Sequence, residues 1–369
     1  MTTAYSGDGI TFPDNSVQAT APRVGMVNRI INGDMRIDQR NGGASGTTSV
    51  YTVDRWAYYG AQASKVTWQQ NAGSITPPAG FTNYLGCTSL SSYSVLANDL
   101  FEFYHFVEGY NLADLNWGSA NAKTVTLSFW VRSSLTGSFG GSLTNNGNTR
   151  NYPFTYTIST ANTWEQKSVT IAGDTSGTWL TTNGRGVGVL FNLGAGSDYS
   201  TTANAWNGTT ANLMPTGAVS VVGTSGATWY VTGVQLEKGS ATDFEYVDYG
   251  RQLQMCQRYY NIWSGATAPS IGLATCMATG GTAPGSRRVS WSNPVEFRAQ
   301  PTLSTGGTIQ LYTFGLTNLV FTGFNSNFSR KNIISFDANS NASGTGGQCL
   351  WLIIDSTSSA NYIAASAEL

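Results

Sequence analysis

The sequence predicts an all-β protein: an extended N-terminal arm, a jelly-roll-like β-sandwich, a short helical neck and a second, smaller C-terminal β-sandwich. Three observations predict it. Apolar and polar residues alternate in short runs, as in half-buried antiparallel strands. Clusters of Gly, Asn and Ser separate those runs, and 43 of the 369 residues are glycine. Charged residues make up only 11% of the chain while aromatics reach 12%, which supplies apolar area for packed cores without the charge density of a disordered chain.

Residues 1–25 read as an arm, because Gly7-Asp8-Gly9, the Pro13-Asp14-Asn15 turn and Ala21-Pro22 break it into pieces too poor in apolar residues for a core. Residues 26–248 form the first sandwich. Within it Val125, Leu127, Phe129 and Val131 face one way, and Thr126, Ser128, Trp130 and Arg132 the other. Similar alternation recurs at Ser168–Ile171, Gly186–Phe191 and Thr228–Leu236, a spacing that suggests a jelly-roll. Between Asp99 and Asp114 the helical spacing of Leu100, Phe103, Tyr104 and Val107 competes with aromatic and Val content, and the segment reads as mostly strand. The pattern breaks at Gly233–Tyr260, where an apolar run meets a charged turn (Glu237-Lys238-Gly239) and a helix follows at Arg251–Gln257. Residues 249–263 therefore form a neck. Residues 264–369 form the second sandwich, with strand-like runs at Ser270–Met277, Arg287–Phe297, Thr308–Phe314, Leu319–Phe324, Ile333–Asp337 and Cys349–Asp355, closing on Tyr362–Leu369.

Several function classes are excluded. A formal net charge of −1 without like-charge runs gives no footprint for nucleic acid, whose phosphates require clustered Lys and Arg. The N-terminus has neither the basic nor the apolar region of a secretory signal, and no apolar window approaches the roughly 20 residues of a membrane span. Cys87, Cys256, Cys276 and Cys349 are scattered, which reads as buried free thiols rather than a disulfide framework or zinc site. Triad catalysis needs a base beside its nucleophile, yet the single histidine, His105, shares a strand face with Phe101 and Phe103 and reads as structural. Glycoside hydrolysis needs two carboxylates about 5 to 10 Å apart. Asp99 with Glu102, Glu108 with Asp114, and Glu237 with Asp243 and Glu245 are the candidates, the last group reading as turn and interface pairing. Asn41-Gly42-Gly43 and Gly184-Arg185-Gly186 are turns, not phosphate loops.

Recognition remains. A sugar site in a β-sandwich stacks aromatic faces on pyranose rings and surrounds them with neutral hydrogen-bonding groups. The chain holds many tryptophans among Ser, Thr, Asn and Gly. Those inside alternating strands, Trp229, Trp291 and Trp351, read as core. Trp206 lies in the polar loop Asp198–Gly208 together with Tyr199, and Trp130 with Arg132 faces away from the apolar side of its strand. Trp206, Trp130, Arg132 and Tyr199 are the ligand-binding candidates.

The segments Asn28–Ile37 (NRIINGDMRI), Gln39-Arg40, Tyr51–Trp56 (YTVDRW), Thr124–Ser134 (TVTLSFWVRSS), Gly177-Thr178-Trp179 and the VQLE…TDFE…CQRYY ending resemble, in order and spacing, the first β-sandwich of bacteriophage tail fibre and tail-tip proteins. In that family the Asn28–Ile37 piece is a strand, and a tryptophan often occupies positions 130 and 206. Pro294–Thr302 (PVEFRAQPT) more loosely resembles a run in the distal sandwich of the same fibres, with Phe297 in place of a methionine. The resemblance implies a virion tail fibre or tail-tip receptor-binding protein with a carbohydrate-binding-module-like sandwich, made in the host cytoplasm. It further implies an arm attached to other tail proteins, and a homotrimer with threefold contacts near Leu253, Met255 and Tyr259. The implied activity is adhesion to a host cell-surface glycan without turnover. A tail depolymerase and a structural adaptor carrying another receptor-binding protein are the alternatives. No cofactor is expected. Asn32, Asp34 and Glu237 offer oxygens where such modules hold calcium, which is too little to define a site.

Overall fold

The computed structural model describes residues 26–264, 271–277, 286–312, 319–340, 349–354 and 360–369. It also describes the backbone of three short strands near the N-terminus, Ala4–Ser6, Gly9–Thr11 and Val17–Gln18. The rest of the arm, and parts of the runs expected at Thr308–Phe314 and Cys349–Asp355, lie outside the described residues.

The protein is all-β. Ten strands build the first sandwich: β1 (Trp56–Gly60), β2 (Val66–Gln70), β3 (Leu85–Ser89), β4 (Leu100–Glu108), β5 (Val125–Ser133), β6 (Gly137–Thr144), β7 (Asn151–Ile158), β8 (Glu165–Ile171), β9 (Arg185–Ala195) and β10 (Thr228–Lys238). They form two antiparallel five-stranded sheets, ordered β7-β6-β9-β4-β1 and β8-β5-β10-β3-β2. Large side chains fill the space between, including Trp56, Phe103, Phe129, Phe191 and Trp229. Each such burial contributes about 1.5–3 kcal/mol. Val125, Leu127, Phe129 and Val131 all enter this core, as the alternation predicts. Thr126 on the opposite face is buried too, because the chain after β10 folds over it: its hydroxyl donates to the Gly239 carbonyl at 2.6 Å.

The segment Asn28–Ile37 is not the strand expected from the family resemblance. It is a buried turn, with Asn32 and Met35 both at φ 59°. Asn32 holds the turn with its own amide, which donates to Ile37 and Asp54 carbonyls at 2.8 and 2.9 Å and accepts from the Ile37 N–H at 2.9 Å. Local side-chain bonds of this kind compete with a ladder. The turn seats on an irregularity in β10 between Thr232 and Gln235, where Gly233 has φ 60°. Val234 N–H donates to the Gly33 carbonyl at 2.9 Å, and Asn28 amide to the Val234 carbonyl at 3.0 Å. A Cβ on Gly33 would collide with that Val234 carbonyl. The two sequence segments with the most distinctive local pattern are thus packed on each other.

The neck holds α1 (Tyr249–Gln257), capped by the Asp248 carboxylate, which accepts from the Arg251 N–H at 3.1 Å. No helix among the described residues is long and apolar enough to cross a membrane. Cys256 and Tyr259 pack with Ile31 and Ile37, while Leu253 and Met255 flank them half-buried. Tyr259 is 1% exposed within the single chain, so it is no surface contact for a threefold partner. Its hydroxyl donates to Glu108 at 2.7 Å, and the Arg55 guanidinium lies 3.6 Å over its ring.

The second unit has β11 (Tyr260–Ser264), β12 (Ile271–Met277), β13 (Ser286–Ser292), β14 (Thr302–Gly306), β15 (Ile309–Tyr312), β16 (Leu319–Asn327), β17 (Ile333–Ser340), β18 (Cys349–Ile354) and β19 (Tyr362–Ser366). A three-stranded sheet, β11-β19-β14, and a six-stranded sheet, β12-β18-β15-β16-β17-β13, enclose a core containing Phe297, Leu311, Phe336 and Leu352. Strand β11 begins at Tyr260, inside the stretch read as neck. Trp351 corrects its expected place in the core. Leu350, Leu352 and Ile354 take the inward positions of β18, so the period of two sends Trp351 outward at 47% exposure. The same period exposes Cys349, whereas Cys87, Cys256 and Cys276 are buried free thiols.

Candidate functional site

The outer face of the β7-β6-β9-β4-β1 sheet carries the site. On β4, Phe101, Phe103, His105 and Val107 point inward, which leaves Leu100, Glu102, Tyr104 and Phe106 on the outside. Cross-strand pairing then sets rows across the sheet: Tyr59 opposite Glu102 opposite Asn192, and Tyr104 opposite Leu190. Tyr59, Leu100, Glu102, Tyr104, Phe106 and Leu190 line a cleft of about 360 Å³ whose walls include Arg185, Asn148, Tyr199 and Leu213. One wall is the loop after β9. Its Ser200–Thr201 and Met214–Pro215 segments pair in parallel, and Pro215 lies so close over β6 that a Cβ on Gly140 would collide with it. Leu100, Leu190, Leu213 and Met214 make an apolar floor, against which Tyr104 and Tyr199 pack.

Two ionisable groups sit among these aromatics. The Arg185 guanidinium stacks 4.0 Å from the Phe106 ring centroid, and donates to the Thr144 hydroxyl and, at 2.9 Å, to the Asn148 side-chain Oδ1. Gly188 makes this placement feasible, since a Cβ there would stand 2.6 Å from an Arg185 nitrogen. Glu102 is 8% exposed, and its Oε2 is buried without a hydrogen-bond partner. Burial raises its carboxyl, only partly offset by the Arg185 charge, to about 8. Burial likewise lowers Arg185, against the pull of Glu102, to about 10. At neutral pH the cleft therefore holds a cation beside a carboxyl that is largely protonated.

The sequence-derived candidates separate in space. Tyr199 lines the cleft. Trp206 is half-buried at another place, in a group of three indoles whose centroids lie 5.5 Å from Trp117, 5.4 Å from Trp179 and 4.6 Å between those two. Its N–H donates to the Ala172 carbonyl at 2.8 Å, so the indole that looked unsupported in its loop has partners from distant segments. Trp130 and Arg132 lie on the outer face of the opposite sheet. There Phe81 packs near Trp130 across Gly233, and Arg132 donates to the Asn162 carbonyl at 2.8 Å with its guanidinium 5.5 Å over Tyr230. Tyr59, Tyr104, Phe106 and Arg185 were not among the ligand-binding candidates expected from the sequence. The outward period of β4 was the available signal, and the strand assignment for 99–114 already contained it.

Of the candidate carboxylates outside the cleft, all but Asp243 have structural partners. Asp99 accepts from the Tyr93 hydroxyl at 2.6 Å and from the Leu96 N–H. Glu108 is held by Arg258 and Tyr259, and Asp114 pairs with Arg29 at 2.9 Å. Glu237 accepts from Gln235, from the Thr242 N–H and from the Thr242 hydroxyl, while Glu245 accepts from the Asn28 N–H at 2.7 Å. Asp34 is paired with Arg36, and no group of three or more metal-ligating side chains occurs among the described residues. His105 is fully buried against Trp56, with Nε2 3.1 Å from the Ile31 carbonyl, a contact that requires the proton on Nε2. Burial, helped by the Arg55 charge, holds it well below the usual histidine range.

No family model matches the chain, and no curated protein matches it. Among solved structures it is similar to the enzymatically active domain of bacteriophage CBA120 tailspike protein 4, with a TM-score of 0.33 and 10% identity over 58% of this chain; the match spans 22% of the tailspike chain. It is similar to a CBM4 carbohydrate-binding module, with a TM-score of 0.30 and 15% identity over 56% of this chain and 98% of the module. A family 11 carbohydrate-binding module from Clostridium thermocellum, in complex with a β-1,3-1,4-mixed-linked tetrasaccharide, gives a TM-score of 0.28 and 9% identity over 55% and 99%. Likenesses this distant say nothing of the ligand, so the functional reading rests on the cleft.

Proposed function

We propose that the protein is an adhesin of a bacteriophage tail fibre or tail tip that binds a cell-surface glycan in the outer cleft of the first sandwich, without cleaving it. The observation that carries this reading is the cleft itself. Tyr59, Tyr104, Phe106 and Tyr199 offer ring faces, Leu100, Leu190 and Leu213 an apolar floor, and Glu102, Arg185, Asn148 and Thr210 polar contacts at its edges. Binding without turnover is supported by the acid content. Hydrolysis needs two carboxylates facing one bond, and Glu102 is the only acid among the described residues that line the cleft. The tail-fibre setting is supported by the motif resemblance at 28–56, 124–134 and 233–260. In that setting the N-terminal arm attaches to other tail proteins and a homotrimer supplies avidity, since linked weak sites raise apparent affinity without new contacts.

The test is a glycan array probed with the labelled full chain, followed by incubation of any bound oligosaccharide and assay for new reducing ends. Binding that Tyr104→Ala removes, with no new reducing ends, supports the reading. Reducing ends that disappear in Glu102→Gln would instead make the cleft a hydrolase, and binding to no glycan would remove the cleft as a glycan site.

A further inference from the structure

We propose that the cleft selects glycans bearing a carboxylate, with Arg185 as the counter-ion and Glu102 donating a hydrogen bond to the same group. This rests on reading the cleft as a glycan site and adds the chemical class of the ligand.

Three features of the geometry point there. First, Arg185 is held in position by Phe106, Thr144 and Asn148, none of them an anion. Its Nε is buried without a hydrogen-bond partner. A guanidinium fixed by neutral groups keeps both its charge and part of its donor fork for a ligand, and carboxylates fit that fork. Secondly, Glu102 lines the same cleft, and its Oε2 is buried and lacks a protein partner. A buried polar group left unsatisfied is costly, and a ligand oxygen would relieve it. Thirdly, the surroundings are aromatic and aliphatic, so charges inside interact more strongly than in water. The titratable and charged groups facing Glu102 are Arg185 and Tyr104, the latter also within the field of Glu368, and Tyr59 stands opposite across the strand pair. Burial keeps the Glu102 carboxyl protonated through neutral pH, so the local charge of the cleft is that of Arg185 and favours an anion. A neutral sugar would leave this cation without a counter-charge.

The direct test measures affinity of the full chain for oligosaccharides of galacturonate, glucuronate and N-acetylneuraminate, each beside its carboxyl-reduced form, with neutral hexose oligomers as controls. At least one acidic probe is expected to bind, and to weaken about tenfold or more on carboxyl reduction and in Arg185→Gln. In the unsubstituted chain affinity should fall as Glu102 ionises around pH 8, and Glu102→Gln should abolish that fall. Equal affinity for acidic and reduced forms overturns the inference and leaves glycan binding standing, a comparison that needs no variant to fold. Binding confined to neutral probes overturns it as well. Absence of binding to every probe removes both this inference and the reading beneath it.

Discussion

Arg258 closes on Glu108 through two hydrogen bonds, Nε at 3.0 Å and Nη2 at 2.7 Å, and so ties the neck to the end of β4. Burial alone would raise the Glu108 carboxyl, but the Arg258 and Tyr259 hydrogen bonds outweigh it and hold it below the usual carboxylate range. Around this pair the two sandwiches meet. Arg298 donates to the Asn183 carbonyl at 2.7 Å, and Glu368 pairs with the buried Arg55 and, at 3.0 Å, with Arg40. Removing Glu108 strands a partly exposed Arg258 and leaves the buried Tyr259 hydroxyl without its acceptor, which costs about 1–3 kcal/mol. Glu108→Ala should therefore lower the unfolding free energy by about that amount in denaturant titration. A loss below about 0.5 kcal/mol would show that the pair is idle.

Glu102 makes stability depend on pH in the opposite direction. Its folded carboxyl titrates at about 8 against 4.5 for the free group. A raised carboxyl contributes its full share below pH 4.5 and loses it as pH climbs through 8. Glu102→Gln removes the ionisation, so the variant should match the parent near pH 4 and exceed it by about 2–4 kcal/mol at pH 8. Asp54, raised by burial to about 7, adds to the same trend in the parent and in the variant alike. Calorimetry at the two pH values decides it. Equal stability of both proteins at pH 8 would mean that Glu102 ionises freely.

His105 acts at the acid end. Its folded imidazole is held well below 6.5, chiefly by burial. A depressed histidine lends stability that is present above pH 6.5 and is lost as pH falls, because the unfolded chain takes up a proton that the folded one refuses. The ring signals of this single histidine should stay at neutral-form positions from pH 8 down to 5 in NMR spectra. Titration near 6.5 would contradict the burial. His105→Phe should also cost about 1–3 kcal/mol at pH 7, since it leaves the Ile31 carbonyl unpaired.

How much of this was legible in the chain depended on the range of the interaction. Strand faces were, because a period of two is local: Val125 to Val131 entered the core as the alternation says. The helix after the charged turn was legible for the same reason. The Asn28–Ile37 turn was not, since its shape depends on Asn32 bonding to Asp54 and on the β10 irregularity more than 190 residues away. Trp206 looked free because its partners, Trp117 and Trp179, come from other loops. The cleft was half legible. Leu100, Glu102, Tyr104 and Phe106 follow from the strand, but Arg185 reaches them only once β9 pairs with β4. Sequence spacing carries no trace of that pairing.

Tyr59 and Trp206 together separate recognition from folding. Tyr59 is 44% exposed at the rim of the cleft, opposite Glu102. Truncating it removes a ring face from the ligand and little packing from the protein. Tyr59→Ala should weaken glycan binding about tenfold and leave unfolding within about 0.5 kcal/mol of the parent. Trp206 is different. It packs edge-on against two indoles and Tyr152, and its N–H is satisfied by Ala172. Trp206→Ala should lower stability by about 2 kcal/mol, because the cluster loses contacts worth about 0.5–1.5 kcal/mol per aromatic pair beyond burial. Affinity at the cleft should stay unchanged wherever the variant is folded. Paired denaturant and binding titrations on both variants check this. A Trp206→Ala protein that keeps its stability but loses its glycan would move the recognition surface from the cleft to the indole cluster.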